Sequence, residues 1–438
     1  MTRKILAATA ILMFANIAFA SGPLEKVIYN FAGEPDGAGP VSGLVADHSG
    51  NLYGTTKYGG KGSCTGLGFT GCGTVFELSP PAVAGGAWTE TILHSFSTPN
   101  DGIYPATALV ADSLGNLYGT TGAGGGSGST GTVFELSPPA TAGGAWTETI
   151  LHKFNNNRTG GYPPFGSLTL RAGNLYGTTQ NGGSGTHCST GGGGCGAVFE
   201  LKAPATVGGA WAESLLYSFG AVSGDAVFPI GNLLFDRSGA IYGTTAGDPT
   251  SSGGTVFQLV QSGGSWNENT LFSFTQNIDG ISPHGLIFDG AGNLYGTTVS
   301  GGVTSPGGGV VFELTPPVVA GDPWTEAVLY TFLGGKDGAT PNAGLVLDKA
   351  GTLYGTAMFG GLHNQQTNNN GTVFELSPPA VSGGAWTETT LHEFGGPTYN
   401  DGSSPNGGLV LSKGKFYGTT SEIVSNGLGT VFSLVVVP

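Results

Sequence analysis

Carboxylates are the most numerous side chains in this sequence that could do acid–base or cation-binding chemistry, and most of them recur in register. A polysaccharide hydrolase needs a pair of carboxyl groups, and a calcium site needs several oxygens. Most of the glutamates, however, occupy two positions of a repeated unit, which is more typical of structure than of a single active site. One position holds Glu77, Glu135, Glu200, Glu313 and Glu375, and the other holds Glu25, Glu90, Glu148, Glu213, Glu268, Glu326 and Glu388.

A recurring turn, D-G-x-x-P, is the leading candidate for a binding site. Its aspartates could ring the mouth of a central channel and hold a cation or a polar ligand, and a histidine follows the proline in one copy. The simpler interpretation is that Asp-Gly forms turns well. The candidate ligand-binding residues are Asp36, Asp101, Asp225, Asp279, Asp337, Asp401 and His284.

The histidines and the loop aromatics divide into repeated and unrepeated groups. His94, His152 and His392 take a position that holds Tyr or Phe elsewhere, so we expect them to pack as aromatic-sized side chains. The histidines that break the repeat lie in loops: His187, His284 and His363. Aromatic residues that could line the same rim are Tyr58, Phe69, Tyr104 and Tyr162, although each could equally pack against its own loop.

Standard catalytic motifs are absent from the sequence. It contains no H-E-x-x-H, C-x-x-C, G-x-S-x-G or P-loop pattern. The G-x-G-x-x-G of Gly126 to Gly131 lies between two predicted strands without a helix to present its amides, so dinucleotide binding is not expected. No catalytic residue can be assigned, and we expect no cofactor apart from the calcium that the aspartates could hold.

The element that must position all these residues is a unit of about sixty residues, present seven times. The tyrosine of the phrase NLYGTT marks each copy, at Tyr53, Tyr118, Tyr176, Tyr242, Tyr295, Tyr354 and Tyr417. Each copy has four short apolar runs separated by turn residues, and no helical period is present, so each predicts a four-stranded antiparallel meander.

The two ends of the repeat array predict a closed ring. The run PLEKVIYNF, from Pro23 to Phe31, aligns with the fourth run WTETILHSF, whereas the last copy stops after its third run, GTVFSLVVVP. The N-terminal strand therefore completes the last unit, as closure of a ring requires. We predict an all-β, seven-bladed β-propeller with four antiparallel strands per blade, in a single domain over residues 21–438.

The meander also predicts which loops share a rim. The long variable loops and the links between blades should lie on one rim, where recognition is expected because loops on a rigid scaffold can vary. We further expect Gly54 and its equivalents in NLYGTT to make room for a neighbouring blade.

The N-terminus and the composition predict where the protein resides. Arg3 and Lys4 precede an apolar run and the small residues Ala18 and Ala20, which predicts a signal peptide over residues 1–20. Without it the chain has 12 basic and 28 acidic residues, a net charge of −16, which disfavours nucleic acid and anionic membranes as partners. We expect a secreted or periplasmic monomer with no membrane insertion after cleavage.

Four cysteines form two close pairs inside Gly-rich loops, Cys64 with Cys72 and Cys188 with Cys195. In an oxidising compartment two local disulfides are the simplest interpretation. A zinc site is the alternative, but the spacings C-x7-C and C-x6-C are not those of metal sites.

The unit L-x-x-D-x-x-G-N-L-Y-G-T-T, followed by G-T-V-F-E-L, resembles the GloVer tandem repeat of secreted bacterial proteins, the choice-of-anchor tandem repeat GloVer-containing family. The resemblance covers nearly all of the chain after the signal peptide. It implies an extracellular bacterial protein and supplies no functional residues. Members commonly end in an anchoring segment, whereas this chain ends in SLVVVP, so free secretion or periplasmic residence is expected.

Two functions remain open from the sequence. The first is a non-catalytic binding or surface-interaction module for carbohydrate or another extracellular polymer, which fold and location favour. The second is a secreted polysaccharide hydrolase or lyase with its site at the mouth of the central channel. An enzyme requires unrepeated titratable residues around one pocket, whereas a binding module requires exposed aromatics or a ring of polar groups.

Overall fold

The structure of the protein is a computed structural model. It describes residues 24–66, 69–97, 100–126, 129–141, 143–155, 160–164, 166–188, 194–206, 208–221, 225–247, 253–302, 307–319, 321–361, 370–381, 383–395, 401–421 and 428–436. The predicted signal peptide and His363 lie outside these ranges. Within them the regular elements are all strands, and no helix is long and apolar enough to cross a membrane.

The strands form seven antiparallel meanders, here called blades 1 to 7, each numbered outward from its first strand. First strands are Val45–Ala46, Ile103–Pro105 with Val110–Ala111, Gly161–Pro164 with Thr169–Arg171, Pro229–Phe235, Ile281–Phe288, Val346–Leu347 and Val410–Ser412. Second strands are Leu52–Thr56, Leu117–Ala123, Asn174–Gly182, Ile241–Thr245, Leu294–Ser300, Leu353–Ala357 and Lys415–Thr420. Third strands are Thr74–Ser79, Ser129–Ser137, Ala197–Lys202, Thr255–Ser262, Val310–Thr315, Thr372–Ser377 and Thr430–Val435. Fourth strands are Thr89–Ser95, Thr147–Asn155, Ala212–Ser218, Ser265–Ser273, Thr325–Thr331, Thr387–Glu393 and, for blade 7, Leu24–Asn30.

Further pairings, of which three are described here, lie in or near the long loops of the chain. Gly37–Ala38 pairs with Tyr58–Gly59, and Thr65–Gly66 pairs with Phe69–Thr70. An isolated bridge joins Ala339 to Phe359. The first and third of these connect the segment that enters a blade to the long loop of the same blade, so the two are held side by side.

The ring is closed by the N-terminal strand, as the sequence predicts. Leu24–Asn30 pairs antiparallel with Thr430–Val435, with Leu24 opposite Val435 and Asn30 opposite Thr430. A side-chain bond also crosses the junction of blades 7 and 1, where the Thr419 hydroxyl donates to the Ser42 carbonyl at 2.9 Å. The seven-bladed β-propeller is therefore confirmed.

The core consists of seven apolar clusters, each shared by two consecutive blades, including the last and the first. In each, the phenylalanine that follows a fourth strand packs edge-on against the phenylalanine of the next third strand. At the closing junction Phe31 and Phe76 have ring centroids 5.1 Å apart and are at most 2% exposed. Burying one phenylalanine side chain contributes about 1.5–3 kcal/mol, so these pairs join neighbouring blades strongly.

The glycine of NLYGTT accommodates its own blade, so the prediction that it makes room for a neighbouring blade is wrong. A Cβ on Gly54 would lie 2.6 Å from Phe76 and 2.8 Å from Leu44, both in blade 1. Gly54 is paired directly with Phe76 across the sheet, so the phenylalanine ring lies over the bare glycine backbone. The same arrangement recurs at Gly119, Gly177, Gly243, Gly296, Gly355 and Gly418.

The proline of the D-G-x-x-P turn packs against the preceding blade. A Cβ on Gly73, which immediately precedes the third strand of blade 1 and has a φ of +103°, would lie 2.5 Å from Pro105 of blade 2. Only glycine combines that positive φ with so close an approach. The contact explains why the turn and the G-T-V-F run recur together.

The long loops and the links between blades share one side of the ring, here called the long-loop rim, as predicted. The Gly60 N–H donates to Asp36 O at 2.6 Å, and the Gly361 N–H donates to Gly335 O at 2.9 Å. Both predicted disulfides are formed, Cys64 with Cys72 and Cys188 with Cys195.

The disulfide loops also contact the residues that lead into the next blade. The Tyr104 N–H donates to Cys72 O at 2.9 Å, and the Phe228 N–H donates to Cys195 O at 2.8 Å. Both donors have a left-handed backbone, with φ of 60° and 59°, a conformation that costs about 1–3 kcal/mol outside glycine. Each disulfide therefore supports the entry to a neighbouring first strand.

Candidate functional site

The first strands surround a central channel with a volume of about 1020 Å³. Every blade contributes to the wall a short segment in or beside its first strand. The volume is at the upper end of the roughly 300–1,000 Å³ typical of small-molecule sites. The channel is therefore large enough for a ligand of several rings.

The wall of this channel is polar on one side and apolar on the other. Blades 4 to 7 contribute Asn232, His284, Asn342 and Asn406, here called the polar arc. Blades 1 and 2 contribute Val41, Ala106 and Ala108, here called the apolar arc. The hydroxyls of Ser42 and Thr107, which also line this side, hydrogen-bond to Thr55 and Thr120 of their own blades. Because consecutive blades are neighbours in the ring, each arc covers a continuous part of the wall. The channel wall therefore lacks the sevenfold symmetry of the fold.

Most hydrogen-bonding groups of the polar arc have no partner among the described residues. Asn342 Nδ2 donates to Asn406 Oδ1 at 2.8 Å. That bond leaves Asn342 Oδ1 and Asn406 Nδ2 directed elsewhere. The amide of Asn232 and the imidazole of His284 line the channel without a side-chain hydrogen bond in the described part of the chain. The arc thus offers both donors and acceptors to a ligand.

The polar arc carries no formal charge near neutral pH. Burial lowers the pKa of His284 to about 4, so its ring is neutral, with one nitrogen donating and the other accepting. Among the described lining residues one charged side chain is present, Lys57 on blade 1, whose ammonium lies 5.5 Å from the centre of the Tyr58 ring. The channel therefore suits a polar ligand without a large charge.

The structure places the candidate aspartates beside the fourth strands and does not bring them together at the channel. Asp36 accepts hydrogen bonds from the Tyr29 hydroxyl at 3.1 Å and from the Ala32 N–H at 2.8 Å. Asp279 accepts one from the Thr275 N–H. The side-chain partners of Asp101, Asp225, Asp337 and Asp401 are His94, Tyr217, Tyr330 and His392.

Of the residues predicted to bind ligand, only His284 is among those lining the channel in the described part of the chain. The Asp side chains point away from the channel because their hydrogen-bond donors lie on that side. The donors are backbone N–H groups of the same turns and side chains of the fourth strands. Ligand binding by the aspartates stays a prediction. The hydrogen bonds that they form in the structure stabilise the turns and connect them to the fourth strands.

A glutamate on the fourth strand of the next blade lies near most of these aspartates. Oε1 is buried without a hydrogen-bond partner in Glu25, Glu90, Glu148, Glu213 and Glu326. Burial, and then the nearby Asp36 carboxylate, raises the pKa of Glu90 to about 8. Burial is also the largest cause of the raised pKa, about 7, of Glu25, Glu148, Glu268 and Glu326. These groups are thus partly protonated at neutral pH.

We expect the melting temperature to fall by about 5 °C between pH 6.5 and 8.5. These glutamates have higher pKa values in the folded protein than the roughly 4.3 of an unfolded chain. The stability they contribute is therefore present at low pH and is lost as pH rises through about 7 to 8. Burial lowers the pKa of His152 and His284, and this acts in the opposite direction only below about pH 6.5.

Differential scanning fluorimetry across this window measures the slope. Glu90→Gln, which resembles the protonated side chain, is expected to raise the melting temperature at pH 8.5 and to flatten the slope. Glu34→Gln, at an exposed position in the adjacent loop, is the control and should leave both unchanged. A melting temperature that rises with pH would contradict the prediction.

One group of possible metal ligands occurs in the described part of the chain, formed by Glu25, His392 and Asp401 at the junction of blades 6 and 7. Their ligand atoms lie within 4.8 Å of one another. His392 Nε2 and Asp401 Oδ2 contact each other at 2.8 Å, and Tyr–Asp pairs form the same contact at other junctions. Three donors fall short of the six to eight oxygens that calcium prefers, so calcium binding stays a prediction.

The remaining sequence candidates are explained by packing. His94, His152 and His392 each meet the next phenylalanine edge-on, with centroids 4.7 Å apart. Tyr58 is buried and stacks on Phe69 at 5.2 Å. Tyr104 lines the channel mouth and donates to Thr65 O at 3.2 Å. His187 hydrogen-bonds to Gly220 O at 3.1 Å.

Sequence reasoning missed Asn232, Asn342 and Asn406. A signal was present, because Asn342 and Asn406 directly follow the turn proline, where blades 1 and 2 have Val41 and Ala106. An alignment at that position shows a polar residue in blades 5 to 7, but it does not reveal Asn232, which lies three residues after Pro229. Their convergence at one channel wall required the ring.

Seven four-stranded sheets closed into a ring around a central channel define a seven-bladed β-propeller. Residues 15–189 match the family described as the Gloeobacter/Verrucomicrobia repeat. This part of the chain therefore carries the GloVer repeat, and over these residues the resemblance predicted from the repeated unit is confirmed.

Two solved structures are similar in fold. One is a Bacteroides fragilis protein described as a candidate 6-phosphogluconolactonase, with TM-score 0.50, 14% identity, and coverage of 85% of this chain and 87% of that chain. The other is the extracellular domain of a candidate hybrid two-component system from B. thetaiotaomicron, with TM-score 0.50, 10% identity, and coverage of 93% of this chain and 40% of that chain. At such identities the similarity shows the fold alone. No curated protein sequence matches this chain significantly.

Proposed function

We propose that this protein is a non-catalytic binding module that works outside the cytoplasm and takes a carbohydrate, or a polymer of similar chemistry, into its central channel. The observation that carries the proposal is the sided wall of the channel, with the polar arc facing the apolar arc. A sugar ring has hydroxyl groups around its edge and apolar C–H faces, so a wall of this kind matches it on both sides.

The location outside the cytoplasm rests on the cysteines and on the N-terminal sequence. Cys64–Cys72 and Cys188–Cys195 are disulfides, and disulfides persist in oxidising compartments. The predicted signal peptide over residues 1–20 agrees with export. A protein in such a compartment can encounter polysaccharides of cell surfaces and of the extracellular medium.

The second candidate function, a polysaccharide hydrolase or lyase, has less support. A hydrolase needs two carboxyl groups on either side of the scissile bond, about 5–10 Å apart. Among the described residues no Asp or Glu lines the channel, and the glutamates with raised pKa lie between fourth strands, each in a repeated setting. A binding role requires only hydrogen-bonding groups, and the amides and the imidazole of the polar arc supply them.

A glycan array probed with the mature chain, with calcium and with a chelator, tests the proposal. We expect binding to a restricted set of saccharides, competed by the soluble oligosaccharide and independent of calcium. Dependence on calcium would instead favour the aspartate turns as the site. Release of reducing ends or of unsaturated products from the same glycans would favour the enzyme, and an array without any binding would contradict the proposal.

A further inference from the structure

We propose that the polar arc selects an uncharged saccharide, binding its hydroxyl groups through Asn232, His284, Asn342 and Asn406. This inference rests on the proposed function and deepens it, because it assigns the class of sugar and the residues that recognise it. It requires three properties of the arc: groups that are free to bind, a fixed orientation, and the absence of a counter-charge.

The arc presents to the channel polar groups that have no partner among the described residues. His284 is half-buried in the channel wall, and its ring nitrogens have no partner among the described residues. One nitrogen of the neutral ring donates and the other accepts, so each can bind a ligand hydroxyl. The side-chain amide of Asn232, on the adjacent blade 4, likewise has no hydrogen-bond partner among the described residues.

The orientation of the two remaining amides is set by their own contact. Because Asn342 Nδ2 donates to Asn406 Oδ1 at 2.8 Å, Asn342 keeps Oδ1 as a free acceptor and Asn406 keeps Nδ2 as a free donor. A hydroxyl group both donates and accepts, so adjacent hydroxyls of a sugar can bind both amides. An amide held in place before binding loses little entropy on binding.

The arc has nothing to neutralise a carboxylate. Its imidazole is neutral above about pH 5 because burial lowers the pKa of His284 to about 4, and its other members are amides. A carboxylate desolvated there without a counter-charge is strongly disfavoured, and the acidic protein repels anions at long range. The cation of the described lining, Lys57, lies on blade 1, beside the apolar arc.

Isothermal titration with neutral oligosaccharides chosen from the array, and with an oligogalacturonate of the same length, tests the selection. We expect the neutral sugar to bind at least about tenfold more tightly, since tenfold corresponds to about 1.4 kcal/mol. Tighter binding of the oligogalacturonate, abolished by Lys57→Met, would overturn the choice of an uncharged ligand.

Substitutions in the arc test the residues. His284→Phe and Asn342→Leu are each expected to weaken binding of the neutral sugar about tenfold. His48→Phe and Asn267→Leu, at exposed positions away from the channel, are the matched controls and should leave binding unchanged. If Asn342→Leu does not fold, Asn406→Ser provides the same test at the other half of the amide pair.

The outcomes separate the two proposals. Unchanged affinity in folded His284→Phe and Asn342→Leu would refute the arc as the recognition site and leave the binding function standing. Failure of the unaltered protein to bind any oligosaccharide would refute the proposed function and the inference with it.

Discussion

A chain that lacks residues 24–31 is expected to lose its cooperative unfolding transition and to aggregate. The deletion removes the fourth strand of blade 7, which pairs with Thr430–Val435, and Phe31, which packs on Phe76. Loss of a buried phenylalanine alone costs about 3–5 kcal/mol, out of a typical total of about 5–15 kcal/mol. The exposed third strand would also be an open edge, and open edges pair with other chains.

Circular dichroism melts and size-exclusion chromatography measure this effect. A chain that begins at Pro23, just before the strand, is the control and should melt as the mature protein does. A synthetic peptide of residues 23–32, added in trans, is expected to restore the transition by filling the vacant position. A truncated chain that melts cooperatively near the temperature of the control would show that the N-terminal strand does not close the ring.

Gly119→Val is expected to lower the melting temperature by about 5 °C or more. A Cβ at this position would lie 2.5 Å from Phe134 and 2.9 Å from Leu109, both buried in the same blade. Neither side chain can withdraw, because each also packs against a neighbouring blade. Overpacking of a filled core costs about 1–3 kcal/mol, and each kcal/mol lowers the melting temperature of a large domain by about 2–4 °C.

Gly290→Val is the matched control for this substitution. Gly290 lies in the turn between the first and second strands of blade 5, and a Cβ there would meet nothing within 4 Å. The same added volume should therefore leave the melting temperature within about 1 °C of the unaltered protein. Equal effects of the two substitutions, or none at Gly119, would contradict the steric role of the glycine in NLYGTT.

Much of the fold could be predicted because its determinants are local. The phrase NLYGTT and the run GTVFEL recur with an alternating pattern, and alternation specifies strands whatever the surroundings. Seven copies, with a fourth run before the first copy and none after the last, specify the number of blades and their closure. The cysteine pairs were predictable for the same reason, since each closes a loop of fewer than ten residues.

Contacts within the repeat were less predictable than the repeat itself. Gly54 was expected to face another blade, but its neighbour is Phe76, which the register of blade 1 places directly opposite. The D-G-x-x-P motif predicts an Asp near the channel, yet Asp36 and its equivalents form hydrogen bonds beside the fourth strands. A turn motif specifies backbone shape, and the direction of its carboxylate depends on which hydrogen-bond donors the finished sheet brings near.

By itself, the sequence determined a closed ring of seven four-stranded blades, its loop disulfides and the rim that carries its variable loops. The tertiary structure alone decided the channel wall. Asn342 and Asn406 are 64 residues apart, and their amides meet because ring closure brings equivalent positions of neighbouring blades to one axis. The same closure buries Glu90 against Asp36 and raises its pKa. Both results depend on distances between blades, and local sequence patterns do not encode distances between residues that only the closed ring brings together.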